Sequence, residues 1–119
     1  MGVYVGVFGL LAHSQSDAKK SEGPSVYDGT ANSMAVASGR VSYVLGLTGP
    51  CFPVDTACSA SLVALHLARK SLDEMAVVVG VSVLDFATHS AFSTAGMLSP
   101  LGRCHTFDAR ADGYSRAEG

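Results

Sequence analysis

The segment Val54-Asp55-Thr56-Ala57-Cys58-Ser59-Ala60-Ser61-Leu62 places one thiol among small side chains, between a short apolar stretch and a longer one. If a strand ends near Asp55 and a helix starts near Ser59, Cys58 sits at a sharp strand-to-helix turn. That is the logic of a nucleophile elbow, where small neighbours let strand and helix approach and keep the reactive atom reachable. A helix N-terminus lends partial positive charge, which favours thiolate over thiol. The first-turn N–H groups have no partner within the helix, so the Cys58 N–H is a candidate donor to a developing oxyanion. A thiolate beside an oxyanion donor implies acyl transfer through a thioester. From the turn alone, a small buried hydrophobe, as most free cysteines are, explains Cys58 equally well. Ser59 and Ser61 read as helix-capping residues rather than catalytic ones. Asp55 reads as a structural hydrogen-bond or ion-pair partner rather than a general base.

The elements around this segment read as α/β. Val3, Val5 and Val7 alternate with Tyr4, Gly6 and Phe8, which predicts a buried strand ending at Gly9. Residues 13–24 are polar and predict a loop, with room for a short helix. Asp28-Gly29 is a turn signal. Thr30, Asn32 and Ser33 are candidate caps for a helix through Met34, Val36, Ala37, Arg40, Val41 and Val44, with Gly46 as its stop. Residues 51–55 predict a strand. Residues 59–74 predict a core helix, since Leu62, Val63, Leu65, Leu67, Ala68 and Leu72 make it apolar on most sides. Residues 76–84 predict a strand of the kind buried on both faces. The pattern weakens after Asp85; residues 91–97 suggest a short helix and residues 114–118 the start of a strand. The order strand, helix, strand, helix, strand is α/β, with no internal repeat.

Composition narrows the function classes. The chain has 119 residues, 48% hydrophobic and only 15% charged, against about 25% charged in a typical soluble domain. Much of its surface is therefore expected to be covered by something else. Net charge is -2 and the only basic pairs are Lys19-Lys20 and Arg69-Lys70, so no nucleic-acid partner is expected. No membrane span is expected either: residues 41–54 are cut by Gly and Pro, and residues 76–84 fall far short of the about twenty a span needs. Residues 1–12 lack the basic leading region of a signal peptide, and Gly6 stands where a myristoylation signal wants Ser or Thr. Cys51, Cys58 and Cys104 are an odd number without a C-x-x-C pair, which argues against a disulfide framework and against zinc. A reducing intracellular compartment is expected, the cytoplasm first and a plastid as the alternative.

Residues 54–66, ending Val63-Ala64-Leu65-His66, closely resemble the active-site segment of β-ketoacyl synthases, in particular the ketosynthase domains of polyketide synthases. Three more stretches agree in order and spacing. Gly39-Arg40-Val41-Ser42-Tyr43 with Gly49-Pro50 is similar to the family's approach to the active site. Ala95-Gly96-Met97-Leu98-Ser99-Pro100 with Gly102-Arg103-Cys104 resembles its next motif. Phe107-Asp108 with Ala111-Asp112-Gly113-Tyr114 and Glu118-Gly119 resembles the one after. The resemblance implies a thiolase-like fold, partial here: one incomplete half of a duplicated α/β/α/β/α architecture, with residues 1–119 as part of the N-terminal domain and no second domain. It implies that Cys58 accepts an acyl chain from the phosphopantetheine arm of an acyl carrier protein. A malonyl-type extender on a second carrier then loses carbon dioxide and condenses with that chain. No directly bound cofactor and no metal are implied, and a homodimer is implied for the full-length enzyme.

The family's two catalytic histidines lie in His-Gly-Thr and Asn-x-Gly-His motifs, and the sequence contains neither. His66 is eight residues beyond Cys58, a helical rise of about 12 Å, and reads as a core or interface histidine. His13, His89 and His105 fall in loop-like segments, and no further ligands are spaced to join Cys104-His105 at a metal. The chain alone is therefore expected not to condense, and its independent folding is in question. Three alternatives stand beside this reading: another thiolase-fold condensing enzyme, a truncated non-catalytic relic or dimerisation module, and a cysteine α/β-hydrolase. The last wants Gly where Thr56 and Ala60 stand.

Overall fold

Three parallel strands in the order β2-β1-β3 form the centre of the molecule. The computed structural model describes residues 1–8, 26–31, 33–71 and 75–119. In chain order the elements are β1 (Gly2–Phe8), α1 (Asp28–Ala31), α2 (Met34–Val44), β2 (Cys51–Val54), α3 (Ala60–Lys70), β3 (Ala76–Ser82) and α4 (Phe86–Thr94).

The period-2 pattern of β1 assigns its side chains to two faces. Val3, Val5 and Val7 point to one face and meet Val77, Val79 and Val81 of β3, with Met34 and Val41 of α2 packed over them. Tyr4 points to the other face and packs with Val54, Ala64 and Ala68 under α3. β1 is therefore covered on both sides, and its run of valines is that of a central parallel strand.

Three expectations about the strands and helices change. β3 was expected to be buried on both faces, yet most of it is half-buried; it is an edge strand, and α2 and α3 centre on β1. α3 was expected as a core helix. Its alanine stripe, Ala60, Ala64 and Ala68, carries the contact with the sheet, while Leu62 and Leu65 are exposed. Small side chains let the helix axis come close to the strands, so the stripe of alanines wins the inward face and the leucines turn outward. The helix of residues 91–97 instead spans Phe86–Thr94, starting where the Asp85 carboxylate accepts the Thr88 N–H at 2.8 Å. That is an N-cap bond, and its signal, Asp85 as a preferred N-cap residue, was present in the sequence.

The ends of elements differ more modestly. Asp28-Gly29 opens the single-turn α1 rather than a plain turn. Ser33 holds the N-cap position of α2 without a side-chain cap bond, and Asn32 lies outside the described residues. α2 stops as expected at Gly46, which has φ +62°. Its N–H reaches Tyr43 O at 3.2 Å and the Leu47 N–H reaches Ser42 O at 2.8 Å, the paired closure that a left-handed residue permits. β2 ends at Val54 and β3 at Ser82. Residues 114–118 form no strand; Tyr114 makes an isolated bridge with Leu98. Gly9, residues 13–24 and residues 72–74 lie outside the described residues.

Candidate active site

β2 delivers the chain to Cys58 through a tight, internally bonded turn. The Asp55 carboxylate accepts the Ala57 N–H at 2.9 Å, the structural role expected for it. The Ser59 N–H donates to Thr56 O at 3.3 Å and the Ala60 N–H to Ala57 O at 3.0 Å. Three of the four N–H groups from Ala57 to Ala60 are thus held within the turn, and the Cys58 N–H stands outside that set. Ser59 occupies the N-cap position of α3, but its hydroxyl donates to Thr56 O at 2.9 Å and contacts Thr56 Oγ1 instead of accepting from the helix. The capping role expected for Ser59 is therefore replaced by a brace across the elbow.

Ala57 has φ +54°. Left-handed backbone is strained for any residue with a Cβ, and such strain persists only where surrounding bonds enforce it. Here the enforced residue is the one immediately before the thiol.

The seat for the elbow is cut by two glycines. Gly6 of β1 and Gly80 of β3 are register partners on the face that α3 covers. A Cβ on Gly6 would lie 2.6 Å from Ala60 C and Ser61 N, and one on Gly80 would lie 2.8 Å from Ser61 Cβ. Only glycine lets the first turn of α3 rest on these strands. An isolated Gly inside a strand pattern signals such a close approach, so this part of the site was available in the sequence but was not singled out.

Cys58 lies at the C-terminal end of the parallel strands. The chain leaves β1 towards α2 on one face and β2 towards α3 on the other, and a crevice opens where neighbouring connections diverge. A cavity of about 780 Å³ occupies this end. Cys58, Ala57 and Gly6 line it, with Phe8, Phe92 and Met97 forming an apolar side and residues 114–117 another wall. Phe8 and Phe92 stack with ring centroids 6.4 Å apart. An apolar cavity against an exposed thiol suits an apolar chain carried on a reactive carbonyl.

The other candidate residues fall elsewhere. Cys51 begins β2 and Cys104 lies in a loop, both exposed; the Cys104 sulfur accepts the Ser115 N–H at 3.1 Å. His66 is exposed on α3, which removes the core role allowed for it. His89 lies on α4 rather than in a loop, and His13 is outside the described residues. Among the described residues no histidine lines the cavity. Nor do any three His, Cys, Asp or Glu side chains among them cluster as a metal site, and none of their helices is long and apolar enough to cross a membrane.

Residues 1–119 match the model of the β-ketoacyl synthase N-terminal domain. The chain belongs to the β-ketoacyl synthase family. It is 49% identical, over 99% of its length, to a mycocerosic acid synthase-like polyketide synthase of Mycolicibacterium smegmatis, of which it covers 6%. It is 44% identical, again over 99% of its length, to a phthioceranic/hydroxyphthioceranic acid synthase of Mycobacterium tuberculosis, of which it covers 6%. Among solved structures it resembles the module 6 ketosynthase of the Bacillus subtilis bacillaene synthase, with TM-score 0.77 and 39% identity over 98% of this chain and 19% of that one. It also resembles the oxazolomycin ketosynthase domain of Streptomyces albus JA3453, with TM-score 0.80 and 36% identity over 98% of this chain and 21% of that one. The fold is therefore thiolase-like and partial. This β-ketoacyl synthase chain spans less than a tenth of these synthase relatives and about a fifth of the ketosynthase chains it superposes on.

Proposed function

We propose that Cys58 is the acyl-accepting thiol of a ketosynthase, loaded from the phosphopantetheine thioester of an acyl carrier protein. The observation that carries this is the strained, internally bonded elbow at Ala57, which presents Cys58 beside an apolar cavity at the C-terminal end of the parallel sheet. The Cys58 thiolate attacks the thioester carbonyl and a C–S bond forms. The Cys58 N–H donates to the oxyanion while the charge is on oxygen. The bond to the pantetheine sulfur then breaks, and that sulfur leaves as a thiolate and takes a proton from solvent.

Condensation follows on the loaded cysteine. The carbon–carboxylate bond of a malonyl-type extender breaks, releasing carbon dioxide and leaving the electron pair as an enolate. That carbanion attacks the acyl carbonyl, the new carbon–carbon bond forms, and Cys58 departs as thiolate. In the family this step uses the two downstream histidine motifs, which these 119 residues do not contain. The 119-residue chain is accordingly expected to load but not to condense.

The test is intact-mass analysis of the chain after exposure to an acyl-loaded carrier protein. One acyl increment, absent from Cys58→Ala, is expected. No increment, or an equal increment in Cys58→Ala, would remove Cys58 from the role. Release of a condensed product by the 119-residue chain alone would contradict the division of labour.

A further inference from the structure

Residues 114–117 and Gly119 form a wall of the Cys58 cavity, and the whole segment 114–119 belongs to no strand or helix. Backbone bonds pin their two ends. The Tyr114 N–H donates to Met97 O at 3.1 Å and the Ser99 N–H donates to Tyr114 O at 3.0 Å. At the other end Ser82 and Gly119 exchange N–H···O bonds at 2.6 and 3.2 Å. Between these ends, two long charged side chains reach across to β3 and α4. The Glu118 carboxylate accepts the Leu84 N–H at 2.9 Å, just past the end of β3. The Arg116 guanidinium carbon lies 5.3 Å from the Phe92 ring centroid, within the range of a cation–π contact. Asp85, the N-cap of the same helix, feels the Arg116 charge.

Arg116 is unusual in another respect. Both of its terminal nitrogens are enclosed and without a hydrogen-bond partner, and so is the second carboxylate oxygen of Asp85. An enclosed guanidinium without acceptors is costly to keep, and here only an aromatic face and a carboxylate's field offset that cost. Its placement follows the geometry of the wall, since a shorter residue at position 116 would leave α4 and the wall uncoupled.

We propose that Arg116 and Glu118 are positioning residues for acyl loading: they latch the 114–119 wall onto α4 and the end of β3, and so set the apolar width of the cavity beside Cys58. The proposal rests on Cys58 being the acyl acceptor. Neither side chain touches the reacting atoms. The latch acts on the acyl chain through Phe92 and the wall itself, so its loss weakens binding of long chains more than it slows the transfer.

The experiment compares transfer to Cys58 from acetyl- and decanoyl-pantetheine in the 119-residue chain, alongside alkylation of Cys58 by iodoacetamide. Glu118→Ala, which loses a charged hydrogen bond, is expected to raise the KM for the decanoyl donor about tenfold, and Arg116→Ala, which loses a cation–π contact, about threefold to tenfold. The kcat, the acetyl KM and the alkylation rate stay unchanged. Glu118→Gln, which keeps an acceptor oxygen for the Leu84 N–H, behaves as the parent. Decanoyl KM values unaltered in both alanine variants would overturn the proposal. So would an equal fall in all three reactions, with loss of circular dichroism, because it would mark a general structural role. A parent chain that is alkylated but never acylated overturns the loading reading itself, and the latch with it.

Discussion

At the residue scale, chemistry and strain meet at neighbouring positions. Cys51, Cys58 and Cys104 are all exposed, so exposure does not single out one of them. Cys58 differs because Ala57 before it is held at φ +54° by the Asp55 carboxylate and the Thr56–Ser59 brace. A β-branched side chain tolerates this region worst. Ala57→Val is therefore expected to lower stability by about 1–3 kcal/mol, read as a fall in the urea midpoint, and to slow acyl loading. An unchanged midpoint would mean that the turn is not enforced. The thiol and its small neighbours were legible in the sequence. The positive φ was not, because Ala carries no signal for left-handed backbone; Gly or Asn would have.

At the scale of elements, the Gly6–Gly80 pair decides how deeply α3 sits. Gly6→Ala would drive a Cβ against the Ala60 and Ser61 backbone, which cannot yield as a side chain would. A loss of about 1–3 kcal/mol is expected, with slower loading of Cys58. Gly80→Ala meets Ser61 Cβ at 2.8 Å, an atom fixed to the α3 backbone, and should likewise destabilise, through one close contact rather than three. Gly39, inside α2 with open space around its Cα, should instead gain about 0.5–1 kcal/mol on replacement by Ala. Chemical denaturation of the three variants checks the order.

Helix α4 carries an acid-sensitive end. The Asp85 carboxyl is held below its ordinary value of 3.8, first by the Thr88 N–H, then by the Thr88 hydroxyl, with Arg116 adding a smaller pull. A lowered folded-state pKa stabilises the fold above the unfolded value, and that contribution disappears as pH falls through the folded value. Amide protection at the start of α4, relative to the intrinsic exchange rate at each pH, is expected to fall below about pH 4, and less steeply in Asp85→Asn. The sequence located β1 by its alternation, α2 by its candidate caps and the Gly46 stop, and β2 by its short apolar, partly β-branched run. Periodicity misplaced α4, whose exposed face mixes Phe, Ala, Thr, His and Ser, and there the Asp85 cap was the better guide. It also took α3 as a core helix buried on most sides, when only the alanine stripe is buried against the strands.

At the scale of the whole molecule, too much surface is open for a finished domain. Leu62, Leu65, Phe52 and Phe86 are among the exposed apolar side chains. A helix apolar on both sides belongs between two layers, and the sequence had signalled this through its low charge. The 119-residue chain is expected to bind anilinonaphthalene sulfonate and to elute from gel filtration ahead of a compact 12.2 kDa monomer. Elution as a compact monomer without dye binding would contradict this.

The proposed function requires that the elbow, rather than exposure, choose the thiol. Peptide mapping by mass spectrometry, after brief reaction with an acyl-pantetheine, puts that choice to the test. The acyl group is expected on Cys58 alone, with Cys51 and Cys104 unmodified though also open to solvent. An acyl group spread evenly over the three cysteines, or found on Cys51 or Cys104 in preference, would show that the elbow does not select Cys58.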